Sequence, residues 1–417
     1  MAKQDTVLIV GGGVVGLACA HYLTKAGFQV TVIDKGGIGA ACSHGNCGYV
    51  CPSHVLPLTE PEAIEVALKS LFKPNAPFRV KPRFDPSLIH WMLQFARRCR
   101  KDAMLDAAAH LRSILDSSMV EFRQLVEGEG LACQWQAQGL LYVFRSETSM
   151  AGFAKTDSLL REKFDLGAER LEGVSLSDFD GALRSDLAGA FHYSGDTHLR
   201  PDLLLRNWVV RLREQGVELL PECELQRVLR DGDRVLALQT NRGELMADHY
   251  VFAMGAWSGR LGRELSCRIP VEPGKGYSVT MKRPSPCPTH PILFPEHKVG
   301  VTPFDDGYRI GSMMEFAGFD ESIDPKRIEQ LHRSVEPYLV APYTEASEET
   351  WYGWRPMTWD SLPIIGHVPA LKNAILATGH NMLGLTLAPG TGRLVAELMT
   401  GVEPHIDVTG FDPARFV

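Results

Sequence analysis

The chain has 417 residues, too many for one ordinary core, so two domains are expected. An apolar content of 45% and a charged content of 22% belong to a globular enzyme, and a net charge of −7 leaves no footprint for nucleic acid. No apolar run reaches the roughly 18 residues of a membrane-spanning helix, the first strand begins too early for a signal peptide, and nine cysteines fit a reducing compartment. The expectation is a cytoplasmic protein, with peripheral attachment at the inner membrane left open.

In chain order, the first predicted element is the apolar strand Thr6 to Val10. Gly11-Gly12-Gly13-Val14-Val15-Gly16 follows at once, then a helix from Val14 to Ala26 that Gly27 stops, then a strand from Val30 to Ile33 ending at Asp34. This is the context a dinucleotide-binding βαβ unit requires. Gly11 allows the tight turn, Gly13 admits a pyrophosphate to the backbone, and Gly16 lets helix and strand pack. The helix N-terminus offers N–H groups to phosphate. Asp34 suits ribose hydroxyls and repels a 2′-phosphate, which disfavours NADP.

Pro52 to Phe84 is rich in proline and reads as an excursion with short helices. Helices are predicted over Leu88 to Arg100, Leu105 to Glu127, Thr148 to Phe164, Asp202 to Gln215 and Pro325 to Tyr338. Strands are predicted over Gly139 to Phe144, Val217 to Leu220, Arg234 to Thr240 and His249 to Met254, with hairpins from Gly276 to Met313. The C-terminal part reads as strand (Ala374 to Thr378), glycine-bearing loop (Gly379 to Pro389) and helix (Gly390 to Met399). Nucleotide-binding pieces thus fall in separate stretches, which implies a second domain threaded through the first.

Several constellations suggest chemistry. The loop Gly379-His380-Asn381-Met382-Leu383-Gly384-Leu385-Thr386 leads into a helix, whose electropositive end suits the charge a flavin gains at N1 and its C2 carbonyl on reduction. His380 in this loop has either an orienting or a chemical role. In Cys42-Ser43-His44-Gly45-Asn46-Cys47-Gly48, Ser43 and Asn46 can donate to pyrophosphate or flavin. Cys42, Cys47 and Cys51 match no standard cluster spacing, so no metal is expected; His44 is a candidate for covalent flavin attachment. Arg355, among aromatics, needs an anion: a substrate carboxylate, or internally Asp360 or Glu349. Tyr277 faces substrate or packs in a sheet, and His297 lies on a loop.

With these segments in place, the chain resembles the flavin-dependent amino-acid oxidase superfamily, and within it most the bacterial D-amino-acid dehydrogenases. The likeness runs through nearly the whole chain, most specifically Val10 to Gly16, Ser43 to Gly48, Pro270 to Thr280, Val301 to Phe319, Arg355 to Gly366 and Gly379 to Gly392. It implies FAD and a mixed α/β fold, with a Rossmann-like FAD-binding domain (1–85, 190–267, 345–417) interleaved with an antiparallel β-sheet substrate domain (86–189, 268–344). It implies oxidation of a C–N bond by hydride transfer to flavin N5. Arg355 matches the arginine that holds the substrate carboxylate; Tyr277, His297 and His380 complete the expected catalytic set. The expected cofactor set is Gly11, Gly13, Val14, Val15, Gly16, Asp34, Lys35, Ser43, Asn46, Gly48, Val228, Gly255, Trp257, Gly379, Leu383, Gly384, Leu385 and Thr386. Expected partners are an amino or imino acid substrate and a quinone or other electron acceptor, with an electron-transfer subunit left open. The dehydrogenases usually have glycine and threonine where Asn381-Met382 stands here, and tryptophan at Leu385. Substrate preference therefore stays open between D-amino acids, cyclic imino acids such as hydroxyproline or proline, and glycine- or sarcosine-type amines.

Overall fold

A computed structural model describes residues 4–71 and 78–417. Thr6–Val10 lies at the centre of a six-stranded sheet, flanked by Gln29–Ile33 and His249–Phe252; Glu218–Leu220, Ala374–Thr378 and Ile364–His367 complete it. All neighbours are parallel except the last pair, which is antiparallel. The next strand in sequence pairs on one side of Thr6–Val10 and a strand from far along the chain on the other. Its C-terminal end is therefore a topological switch point, where open α/β sheets bind ligands. The expected strands Arg234–Thr240 and Ala374–Thr378 form with the bounds read from the sequence.

A second, nine-stranded sheet carries Ser347–Thr358, Val271–Met281, Tyr308–Phe316, Val299–Pro303, Ile292–Phe294, Leu140–Phe144, Gly189–Tyr193 and Glu169–Leu171 in that order, with Phe78–Val80 beside Tyr308–Phe316. It is mixed where an antiparallel sheet was expected: Ile292–Phe294 runs parallel to Leu140–Phe144, and Phe78–Val80 parallel to Tyr308–Phe316. Ser347–Thr358, which carries Arg355, is an edge strand of this second sheet, and the chain returns to the first sheet only at Ile364. Of the Pro52 to Phe84 excursion, the helix Ala63–Leu71 is described, and residues 72–77 lie outside the described residues.

The helices Val14–Lys25, Lys101–Arg123 and Gly384–Thr400 share one core, in which Leu17, Leu111, Ile114, Leu115, Leu387 and Leu394 are fully buried. The last helix starts six residues before the Gly390 expected from the sequence and runs through Pro389. Proline removes an N–H and crowds the preceding turn, which should end or kink a helix. Here Ser118 Oγ enters the gap, donating to Thr386 O at 2.5 Å and accepting from Gly390 N at 3.2 Å. A neighbouring helix thus restores polar partners that the proline disrupts. Gly392 lets the same helix close on Val14–Lys25, since a methyl group there would lie 2.6 Å from Ala18 O. Among the described residues, no helix is long and apolar enough to cross a membrane.

Candidate active site

The C-terminal edge of the first sheet and the face of the second enclose a cavity of about 1100 Å³. Gly11 opens it, with φ +111° and a backbone so close to the next strand that a methyl group would lie 2.3 Å from Ala253 O. Only Gly11 can make this turn without displacing a strand of the sheet. Gly16 works one layer back: a methyl group there would lie 1.8 Å from Gly11 O, so its absence lets the helix pack on the turn. Gly13 meets only Ser43 Oγ, at 3.6 Å, so its cavity side is open. Ser43 Oγ accepts from Val14 N at 3.1 Å, and Val14 and Val15 line the cavity at the helix N-terminus.

Asp34 takes one backbone N–H on each carboxylate oxygen, from Gly12 and from Gly36, both at 2.8 Å. Each oxygen keeps a lone pair free. Lys35 Nζ sits 3.8 Å over the Trp257 ring, and both line the same end of the cavity with Gly255. The opposite wall is the start of Gly384–Thr400, where Leu383, Gly384, Leu385 and Thr386 line the cavity and no side chain caps the helix. Gly379 (φ +72°) and Asn381 (φ +52°) turn the preceding loop; Asn381 Oδ1 accepts from Thr358 N at 2.9 Å, tying the loop to the strand that carries Arg355. Two helix starts therefore face one cavity, the first with Val14 N bonded to Ser43 and the second without a side-chain cap, an arrangement suited to anionic groups at both ends of an elongated ligand.

Arg355 lines this cavity beneath the Cys42–Cys47 loop. Its Nη1 donates to Met313 O at 2.7 Å, and Met313 holds φ +66° inside its strand to aim that carbonyl. Gly276, on the adjoining strand, leaves the space the guanidinium fills: a methyl group there would lie 2.1 Å from Nη1. Neither acid considered from the sequence pairs with it. Asp360 pairs with Arg415 at 2.9 Å, while Glu349 lies 2.8 Å from His44 and 3.8 Å from Arg309. Among the described residues Arg355 has no carboxylate partner, and burial lowers its pKa. The nearby thiols offer no counterion, because burial pushes Cys42 up to about 11 and raises Cys47. A desolvated guanidinium with no anion is costly unless a ligand supplies one.

The remaining expected residues divide. Tyr277 lines the cavity with its ring, but its hydroxyl donates to Glu315 at 2.6 Å, and Glu315 is also bound by Arg327 at 2.7 Å. That proton is not free for a substrate carboxylate. His380 lines the cavity as a neutral ring: burial lowers its pKa to about 3, and Nε2 lies 3.0 Å from Thr391 Oγ1. Asn46 lines the cavity and accepts from Gly48 N at 2.7 Å. Gly48, Gly16 and Gly379 support the wall from behind and do not line it. His297 is a correction: it stays outside the cavity, its Nδ1 held 2.8 Å from the Tyr338 hydroxyl. Val228 is another, lying past the rim because its strand starts three residues earlier; Leu225 and Gln226 stand at the wall instead. His44 is turned to Glu349 and does not line the cavity. Among the described residues no group of His, Cys, Asp and Glu is placed to hold a metal.

Other site residues escaped sequence reasoning. Arg309, only 1% exposed, donates to His44 O at 3.0 Å and Asn46 O at 2.7 Å, so it holds the loop over the second sheet. Gly300 and Gly311 thin the sheet beneath, where methyl groups would lie 2.4 Å from Tyr49 Oη and 2.5 Å from Cys47 Sγ. Isolated glycines within strands were the available signal for this close approach. No sequence pattern distinguishes Arg309 from a surface arginine.

Comparison with known proteins places this geometry. Residues 6–398 match the family model DAO, FAD dependent oxidoreductase. The chain is 33% identical over 418 residues to a D-amino acid dehydrogenase of Vibrio vulnificus (strain CMCP6), covering 98% of this chain and 99% of the relative. A D-amino acid dehydrogenase of Azorhizobium caulinodans is 31% identical over 425 residues, with 98% and 99% covered. In fold, the chain is similar to glycine oxidase from Geobacillus kaustophilus, with a TM-score of 0.77 at 23% identity, covering 99% of this chain and all (100%) of that one.

Proposed function

The chain belongs to the DAO family of FAD dependent oxidoreductases, and from that premise we propose that it oxidises the C–N bond of an amino acid, D-amino acids favoured. The products are an imino acid, or a 2-oxo acid plus ammonia. The observation that carries the reading is Arg355, a half-buried cation without a carboxylate partner among the described residues, in the wall of a cavity that the Gly384–Thr400 helix start also lines.

The residues present fit FAD. Gly11, Gly13 and the Val14 helix start suit the pyrophosphate, Asp34 the ribose hydroxyls, and the Gly384 helix start the electron-rich edge of the ring. When bound, FAD supplies the two-electron acceptor for the hydride. The first-sheet segments form the FAD-binding portion, and the second sheet, including Ser347–Thr358, the substrate portion.

Arg355 holds the substrate carboxylate with the donors it does not spend on Met313 O, and so fixes the α-carbon. Tyr277 contributes its ring and, through Glu315, the position of its strand. His380 stays neutral and orients the loop through Thr391. Loss of hydride from the α-carbon of the neutral amine lets the nitrogen lone pair close the C=N bond. Water then hydrolyses a linear imine, and a cyclic imine leaves intact. Electrons pass on to a quinone or other carrier in the cytoplasm or at the inner membrane surface; exposed Phe84, Ile89 and Leu93 on and beside Pro86–Arg98 are consistent with peripheral contact. A second reading, oxidation of a cyclic imino acid such as hydroxyproline, is favoured by Leu385 at the cavity wall where the resembling dehydrogenases usually carry tryptophan.

The test is anaerobic bleaching of the bound flavin with D-, L- and cyclic amino acids. The proposal predicts rapid bleaching by at least one D-amino or imino acid; a flavin that stays oxidised with every member contradicts it. Peroxide release in air separates an oxidase from a dehydrogenase.

A further inference from the structure

We propose that His54 and Tyr142 form a substrate-specificity subsite that hydrogen-bonds a neutral polar group, a hydroxyl or a carboxamide, on the side chain of the amino acid. The proposal rests on the amino-acid reading above and names the class of substrate the cavity selects.

Both residues line the cavity that contains Arg355. The Tyr142 hydroxyl and His54 Nε2 are 2.6 Å apart. His54 Nδ1 has no hydrogen-bond partner among the described residues and is not among the buried unpaired atoms, so it opens onto the cavity. Behind the pair stands a buried support. Asp196, 1% exposed, accepts from Ser53 N at 3.0 Å and from Ser53 Oγ at 2.5 Å. Burial pushes Asp196 up to about 7. The two bonds donated by Ser53 hold the turn that leads into His54. With Nε2 engaged by Tyr142, a neutral His54 keeps Nδ1 as one hydrogen-bonding atom for a ligand, which a hydroxyl or a carboxamide can meet as donor or acceptor.

Charge argues for a neutral guest. Burial lowers His54 to about 4 and raises Tyr142, so both are uncharged near neutral pH. No charged group contributes to the shift of His54. Of the other ions lining the cavity, Glu60 is acted on by Glu62 and Lys298, and Lys298 by Glu60; none of them acts on His54. A charged side-chain end at the pair would lose its water without a counterion, whereas a hydroxyl or carboxamide trades one hydrogen bond for another.

The spacing suits a small substrate. Tyr142 pairs with Leu293, Leu293 with Gly300, and Gly300 with Gly311, on the strand whose Met313 O holds Arg355. Three strand steps are about 14 Å, and side chains reaching in from both ends shorten that span.

The experiment measures kcat/KM of the holoenzyme for near-isosteric pairs: serine against alanine, asparagine against leucine, and 4-hydroxyproline against proline, in whichever configuration is oxidised. Wild type is expected to favour the polar member of at least one pair by about 10- to 100-fold, mostly through KM. Tyr142→Phe and His54→Phe, each checked for full flavin content, are expected to bring that ratio toward one. A wild-type ratio near one in all pairs, or a ratio unchanged in both variants, overturns the proposal. The serine and asparagine arms separate hydroxyl from carboxamide. If no member bleaches the flavin, the amino-acid reading fails and this proposal with it; bleaching without discrimination defeats this proposal alone.

Discussion

Gly276→Ala tests the Arg355 clamp without touching its charge. A methyl group at residue 276 would lie 2.1 Å from Nη1 and 2.5 Å from Cζ of Arg355, where ordinary contact begins at 3.4 Å. The guanidinium must therefore retreat by about 1.3 Å, because the methyl is fixed to a strand paired on both sides. The 2.7 Å bond to Met313 O does not survive such a shift. Misplacing a positioning group by about 1 Å costs roughly 10²-fold in rate, or about 2.7 kcal/mol. The backbone at 276 is not in the left-handed region, so alanine is tolerated there by the chain itself. The assay is kcat/KM for the best amino-acid substrate, with flavin content and thermal melting as controls. The expected result is a loss of about 10²-fold at unchanged flavin content. Activity within about 3-fold of wild type would refute the view that this glycine is there to seat the guanidinium.

Ser118→Ala should cost about 1–3 kcal/mol in urea unfolding, because Thr386 O and Gly390 N lose their shared partner beside Pro389; a change under about 0.5 kcal/mol would contradict that role. Asp196 gives a pH signature. Its native pKa is raised to about 7, against ~3.9 when unfolded, so its contribution is fully present below about pH 4 and is lost as pH rises toward 7. Asp196→Asn should remove a decline of at most about 4 kcal/mol over that window. Parallel stability curves for wild type and variant from about pH 4.5 to 7.5 would show that Asp196 ionises normally.

The dinucleotide half was legible because its signals are local. A β-branched run, three glycines at fixed spacing and an acid at the next strand end each have one backbone consequence, and Thr6–Val10, Val14–Lys25 and Gln29–Ile33 form within a residue or so of expectation. The start of Gly384–Thr400 was not legible, because the hydroxyl that lets a helix pass Pro389 comes from residue 118, far away in sequence. The same reason separates His297 from the site while admitting Lys298 beside it: both sit in the turn between Ile292–Phe294 and Val299–Pro303, and it is Tyr338, distant in sequence, that holds the His297 ring outside the cavity. Arg355 was legible as a cation in need of an anion. That its internal candidates are taken, Asp360 by Arg415 and Glu349 by His44, is a tertiary fact.

The central claim is that Arg355 waits for the carboxylate of an amino acid. Arg355→Met, purified with its flavin and mixed anaerobically with the substrate that bleaches wild type fastest, tests it most directly. A kcat/KM for flavin reduction lower by about 10²- to 10³-fold is expected, since truncating one side of a buried charge-assisted pair costs roughly 2–5 kcal/mol. Flavin reduction at close to the wild-type rate and substrate affinity would contradict it.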